Sequence, residues 1–137
     1  KSSYGTVDNK TVLDPDDDVA HVQWGGSWRM PTKTEQDEIR DENNCTWAWT
    51  TQNGVKGYQV MSKKNGNSIF LPAAGYYTND FFIRNAGTNG FYWSSTKETN
   101  NPYSACSLPF NSFEVLWSNI YLRSYGQSVR PICIPSE

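Results

Sequence analysis

The chain has one histidine, His21, among 137 residues. A single imidazole excludes a His-rich metal site, and no nucleophile motif accompanies it to build a Ser-His-Asp centre. His21 therefore reads as structural. Cysteine is scarce and odd in number: Cys45, Cys106 and Cys133. That count excludes a fully paired disulfide framework. A Cys45–Cys133 bridge is one arrangement, and three thiols packed as small hydrophobes is the other. There is no Lys/Arg cluster, the net charge is -2 and the isoelectric point about 5.4, which excludes the basic footprint of a nucleic-acid binder. No apolar run approaches the ~20 residues of a membrane-spanning helix. No internal repeat and no low-complexity segment is visible. The acidic run Asp14–Asp18 lacks the alternating oxygen ligands, the glycine and the distal glutamate of a calcium loop.

Aromatic residues are abundant at 15%, with six Trp and eight Tyr, while the mean hydropathy is -0.70. Large aromatic cores under polar surfaces are common in extracellular β-rich domains. The length fits one domain, and a chain of this size buries about two thirds of its unfolded surface without a staple. Residues 1–13 read as an N-terminal arm and 14–137 as the domain. A first residue of Lys rather than Met reads as a processed or trimmed chain, with any signal peptide out of view.

Along the chain, Asp14 is placed to cap a helix, with Pro15 at its first position and acids at the positive end of the dipole. Val19, Ala20, Val22 and Trp24 would be its buried side, and Gly25-Gly26 its end. Thr32 and Glu35 form a capping box for a second helix running to about Asn43, with Ile39 apolar and its charges solvated. From Cys45 the period changes to two, so Trp47 and Trp49 share a face. Asn53-Gly54 marks a turn, and Asn65-Gly66 a hairpin between Tyr58–Ser62 and Ser68–Pro72. Residues 77–90 read as an Asn/Gly-rich loop. Short strands follow at Phe91–Trp93, Leu108/Phe110, Val115/Trp117 and Ser128–Ile132. The order, two helices and then strands, predicts an α+β layout.

The segment Thr99–Tyr125 stands apart. Tyr103, Phe113, Tyr121 and Tyr125 sit among Ser and Asn, a mix that gives contact area and adaptable hydrogen bonds in binding loops. It is also poor in Lys, Glu, Gln, Met and Trp, the five residues that randomising the adenines of Asn codons cannot reach. Before position 99 these types supply 22 of 98 residues; from 99 to 125 only Glu114 and Trp117 belong to them, against roughly six expected at the same frequency. Loops poor in long side chains would give the same pattern.

Four ordered motifs carry a resemblance: Trp24-Gly25-Gly26-Ser27-Trp28-Arg29-Met30-Pro31-Thr32, Ile69-Phe70-Leu71-Pro72-Ala73-Ala74-Gly75, Gly90-Phe91-Tyr92-Trp93-Ser94-Ser95 and Ser128-Val129-Arg130-Pro131. Over residues 14 to 133 the chain resembles the Fibrobacter succinogenes major paralogous domain of secreted and surface lipoproteins. That family is similar to the C-type lectin-like fold of formylglycine-generating enzymes and of receptor proteins diversified by retroelements. The resemblance implies an α+β, C-type lectin-like domain, two helices packed on short antiparallel strands with long irregular loops. It further implies a secreted, surface or phage-borne location and a C-terminal display face that varies among copies. Carried over by position, that face comprises Tyr103, Ser107, Pro109, Asn111, Phe113, Glu114, Leu116, Ser118, Asn119, Ile120, Tyr121, Leu122, Ser124 and Tyr125. Leu108, Phe110, Val115 and Trp117 alternate with them as core; Arg123 and Arg130 are framework, Arg130 paired with an acid or a carbonyl. Glu114 departs from the adenine pattern. The family's upstream strand has no counterpart here, which either leaves Ser128–Ile132 as a sheet edge or means that the missing piece was trimmed away.

The expected function is non-enzymatic binding of a protein or glycan ligand, with no cofactor. A structural or adhesin module with a fixed protein partner is the alternative. Formylglycine-type chemistry needs a copper-holding cysteine pair, for which Cys106 and Cys133 are the nearest candidates without supporting polarisation. Calcium-dependent sugar binding lacks its acid, since only Asn101-Pro102-Tyr103 occurs.

Overall fold

The computed structural model describes residues 10–117 and 119–135. Its elements are a 3-10 turn at Pro15–Asp17, α1 (Val19–Trp24), β1 (Trp28–Arg29), α2 (Lys33–Arg40), β2 (Cys45–Gln52), β3 (Val55–Ser62), β4 (Ser68–Pro72), β5 (Tyr76–Tyr77), β6 (Ile83–Arg84), β7 (Asn89–Lys97), β8 (Ser104–Asn111), β9 (Asn119–Leu122) and β10 (Ile132–Cys133). Of the described residues, 44% are strand and 14% helix. This corrects the α+β, C-type lectin-like layout of two helices packed on strands: the chain is β-rich, with four separate antiparallel sheets among the described residues. The reason is visible in α1. It is six residues long, and Val19, Val22 and Trp24 are each more than half exposed, so only Ala20 is buried. Its cap is also not Asp14. Asp18, itself buried, accepts from Ala20 N and His21 N through Oδ1 and from Met30 N through Oδ2.

The capping box of α2 forms as expected, with Thr32 Oγ1 accepting from Glu35 N and the Glu35 carboxylate from Thr32 N. The helix ends at Arg40. Arg29 grips the same carboxylate at 2.8 and 2.5 Å. That bond, joined by the Thr32 amide, holds Glu35 down at about 2, well below its ordinary 4.5. A depressed carboxylate contributes stability that is present above its unfolded value and lost as pH falls through its folded one. Glu35→Gln should therefore cost about 1 kcal/mol at neutral pH, discounted for partial exposure, and the difference should vanish between pH 4.5 and 2. Melting curves of both forms across that window are the measurement; a gap that persists at pH 2 would refute the linkage.

β2 and β3 form a hairpin in which Gln52 faces Val55. Its two turn residues, Asn53 and Gly54, have φ of 50° and 79°, the left-handed pair that a type I′ turn needs. β4 completes this sheet in the order β2-β3-β4. The second sheet, β7-β8-β9, is organised on β7. One edge of β7 pairs with β8. Its other edge is tiled by four distant segments: Val12 at Thr96, Pro31 at Ser95, Gly75 at Gly90 and Ser128 at Tyr92. The core lies between the two sheets, where Tyr58, Val60, Leu71, Ala73, Tyr92, Leu108 and Phe110 are buried together. Gly90 is obligatory beneath it, because a Cβ there would stand 2.0 Å from the Phe110 ring.

The C-terminal segment is not left as a lone edge. β10 pairs with β1, Cys133 opposite Trp28 and Ile132 opposite Arg29. The 77–90 loop contains the β5–β6 hairpin, and Val115 makes a single bridge to Phe110 rather than a strand with Trp117. Among the described residues no helix is long and apolar enough to cross a membrane.

Candidate functional site

The predicted display residues hang on β8, β9 and the turns around them. Their placement splits them into three groups. At the start of β8, Tyr103 is 76% exposed; Asn101 Oδ1 accepts from its N–H, and its carbonyl accepts from Arg123 N. Leu122, opposite Ser104, and Ser124 are exposed at this end. At the far end of β8 lie Asn111, Phe113, Glu114 and Leu116. Eight strand residues separate the ends, roughly 25 Å at the usual rise, so Tyr103 and Phe113 do not share one contact patch.

Between them runs β9. Ile120 and Leu122 are partly exposed, while Tyr121 turns to the opposite face and packs edge-on against Phe91 at 5.2 Å. Phe91 meets Tyr76, and Tyr76 meets Tyr125, so Tyr121 and Tyr125 are half-buried ends of an aromatic chain rather than free tips. Asn119 pairs through its backbone with Ser107. Ser118 lies outside the described residues.

Two predicted contact residues are interior. Ser107 is wholly buried and its hydroxyl donates to Gln127 Oε1; Pro109 is buried as well. Alternation of contact and core residues along β8 requires one solvated face. β8 is instead the central strand between β7 and β9, covered on both faces through its middle, so Ser107 and Pro109 are as buried as Leu108 and Phe110.

The far end is the most sharply built part of the surface. Asn111 Oδ1 accepts from Phe113 N at 2.8 Å and from Glu114 N at 3.1 Å, and Asn111 N donates to Glu114 O. Leu116 N donates to Pro109 O, and Leu116 O accepts from Arg40 Nη1 at 2.6 Å. On this pinned backbone Phe113 is 93% exposed and Trp117 79%. The Trp117 ring lies over the Arg40 guanidinium, 4.1 Å from its centroid. Both residues reverse the expectation from sequence, which places Trp117 in the core and Arg40 on a solvated helix face. Arg40 is buried, and burial lowers its pKa against the opposing charge of Asp37, which its Nη2 contacts at 2.6 Å.

A second exposed aromatic feature lies in the Asn/Gly-rich segment 77–90. The β5–β6 hairpin lifts Phe81, Phe82 and Ile83 into solvent, with Arg84 over the Phe82 ring at 5.6 Å. Tyr77 pairs with Gly126, which sets this hairpin beside the end of the display segment. Three consecutive apolar residues amid Asn, Thr and Gly were the available signal.

Among the described residues no three His, Cys, Asp or Glu side chains gather as a metal site. Neither Cys45 nor Cys133 is in a disulfide, so the Cys45–Cys133 bridge is not formed. Burial, with Asp41 nearby, raises the pKa of the Cys45 thiol, the opposite of an activated nucleophile. His21 Nδ1 sits 3.2 Å from Trp28 O on a groove of about 570 Å³ lined by Val12, Leu13, Trp28, Ser95 and Ile134, none of them a predicted site residue.

Residues 49–132 match a family model described as a domain of unknown function, DUF8237. No curated protein and no solved structure matches the chain.

Proposed function

The chain belongs to the DUF8237 family, and we propose that it is a non-enzymatic ligand-binding module that engages a protein or glycan through the aromatic turn Asn111–Trp117. The observation that carries this reading is the pairing of near-complete exposure at Phe113 and Trp117 with a backbone held by Asn111 and Arg40. Exposed large aromatics on a loose loop would be ordinary surface. Held on a pre-ordered turn they bind with little ordering cost, which is how rigid aromatic anchors act as hot spots. Tyr103, Leu122 and Ser124, at the other end of β8, form a separate contact region of the same module.

The resemblance by motif supports a secreted or surface location, lipoprotein-anchored or phage-borne, and variation of residues 99–125 among sister copies. A near-identical non-coding copy of that segment, differing at adenines, would establish the variation; its absence from the genome would remove it.

Glycan and protein arrays probed with the chain test the binding itself. Phe113→Ala and Trp117→Ala should weaken any captured ligand by roughly tenfold to a hundredfold, as hot-spot truncations do, with the melting temperature unchanged. Tyr103→Ala should act only on ligands that reach the opposite end. Captured ligands indifferent to both Phe113→Ala and Trp117→Ala would sink the assignment of the turn.

A further inference from the structure

The three-stranded sheet β2-β3-β4 has two edges, and they are treated differently. On β4, Pro72 has no N–H to offer, and its carbonyl is taken by the Tyr92 hydroxyl at 2.8 Å. Proline and a covering group are the usual ways of blunting an edge. β2 has neither. Its eight residues, Cys45-Thr46-Trp47-Ala48-Trp49-Thr50-Thr51-Gln52, contain no charge, no proline and no glycine.

Which of its main-chain groups face outward follows from the register. The two-residue turn makes Gln52–Val55 a hydrogen-bonded pair, so the even residues of β2 bond to β3. The ladder's continuation agrees, because Lys63 N donates to Asn44 O, while Cys45 N turns away to Asp41 O. Trp47, Trp49 and Thr51 therefore direct both N–H and C=O away from the sheet. Among the described residues none of these groups has a main-chain partner outside it.

We propose that β2 pairs antiparallel with β2 of a second copy of this chain, about a two-fold axis at Trp49, merging two three-stranded sheets into one of six strands. In that register Trp49 faces its own counterpart and Trp47 faces Thr51, so all three outward residues of each copy meet outward residues of the other. About six hydrogen bonds form. The intervening pairs, Ala48 with Thr50 and Thr46 with Gln52, place no like charges opposite each other. The direction follows from the two-fold axis: antiparallel apposition lets one register satisfy both edges while Trp47, Trp49 and Thr51 of the two copies stay on the same face of the merged sheet. A second copy fits better than an unrelated strand because this uncharged, proline-free strand is complementary to itself in one register. None of the proposed ligand residues lies on β2, so a dimer leaves them free and doubles them, raising avidity without a new contact.

One strand pair is a small interface, so the dimer is concentration-dependent. Sedimentation over a wide concentration range should show monomer passing to dimer. Amide exchange of the unaltered chain supplies the positional test: Trp47, Trp49 and Thr51 should become protected only where dimer forms, while Thr46, Ala48, Thr50 and Gln52 are protected throughout. Thr51→Pro removes an outward N–H but no bond to β3, a substitution that an edge strand tolerates. It should weaken the dimer at least about tenfold, since two of the six bonds go. A chain monomeric at every concentration, whether or not it captures an added extended peptide, overturns the proposal. So does a dimer in which the odd-numbered amides still exchange fast. If Thr51→Pro does not fold, the exchange pattern of the unaltered chain decides alone.

Discussion

Phe110→Ala should lower the unfolding free energy by about 3–5 kcal/mol and the melting temperature by roughly 10–20 °C. Phe110 has no exposed surface and stands where the two sheets meet. Its ring centroid is 5.3 Å from that of Tyr58, 5.9 Å from Tyr92 and 6.1 Å from Trp47, so both sheets touch it. Truncation removes the transfer energy of a phenyl ring and leaves a void whose lining consists of other rigid rings. Such a site collapses poorly, which puts the cost toward the upper part of the range for core phenylalanines. Phe110→Leu should recover about half, because it refills part of the volume. Thermal or urea unfolding of the three forms is the measurement. A loss under about 1 kcal/mol for the alanine variant would mean that Phe110 does not join the sheets.

Arg40→Ala should cost about 3 kcal/mol and, unlike Phe110→Ala, should act on the candidate site directly. The Arg40 side chain is 5% exposed. Its two terminal nitrogens are committed, to Leu116 O and to Asp37, and its plane supports Trp117. Removing it orphans the Leu116 carbonyl and deprives Trp117 of its platform, while Asp37 retains Lys33 at 2.5 Å. The retained partner, and an Arg40 Nε that is already buried without one among the described residues, hold the cost at the lower end of the range for broken buried pairs. Arg40→Lys keeps the charge but cannot form the fork, so it should recover less than half. The distinguishing readout is the Trp117 indole in NMR relaxation: freed from Arg40 it should gain fast motion, and ligand affinity should fall with it. An Arg40→Ala chain with native stability and an unchanged Trp117 signal would show that the turn is held by Asn111 alone.

Several features were legible because their causes lie within a few residues. Asn53-Gly54 closed its hairpin because two adjacent left-handed residues suffice for the turn, and Thr32 with Glu35 capped α2 across three positions. Trp47 and Trp49 share a half-buried face because strand alternation is local. Even here a near competitor could mislead. Asp14 and Asp18 are equal as caps by residue type, and Asp18 holds the position because Met30 N, twelve residues on, also binds it.

The candidate site was legible as a segment and not as a surface. By itself the sequence determined the turns, the second helix cap, the β pairing of residues 45–72 and the aromatic, Asn-rich character of 99–125. Which of those residues meet solvent was decided by tertiary structure. Ser107 is sealed by Gln127, twenty residues away, and Arg40 is buried by Leu116, seventy-six residues away. The small content of helix was decided in the same way, since the apolar side of α1 found nothing to cover it. Burial depends on partners brought by the fold, whereas turns and caps depend on neighbours brought by the chain.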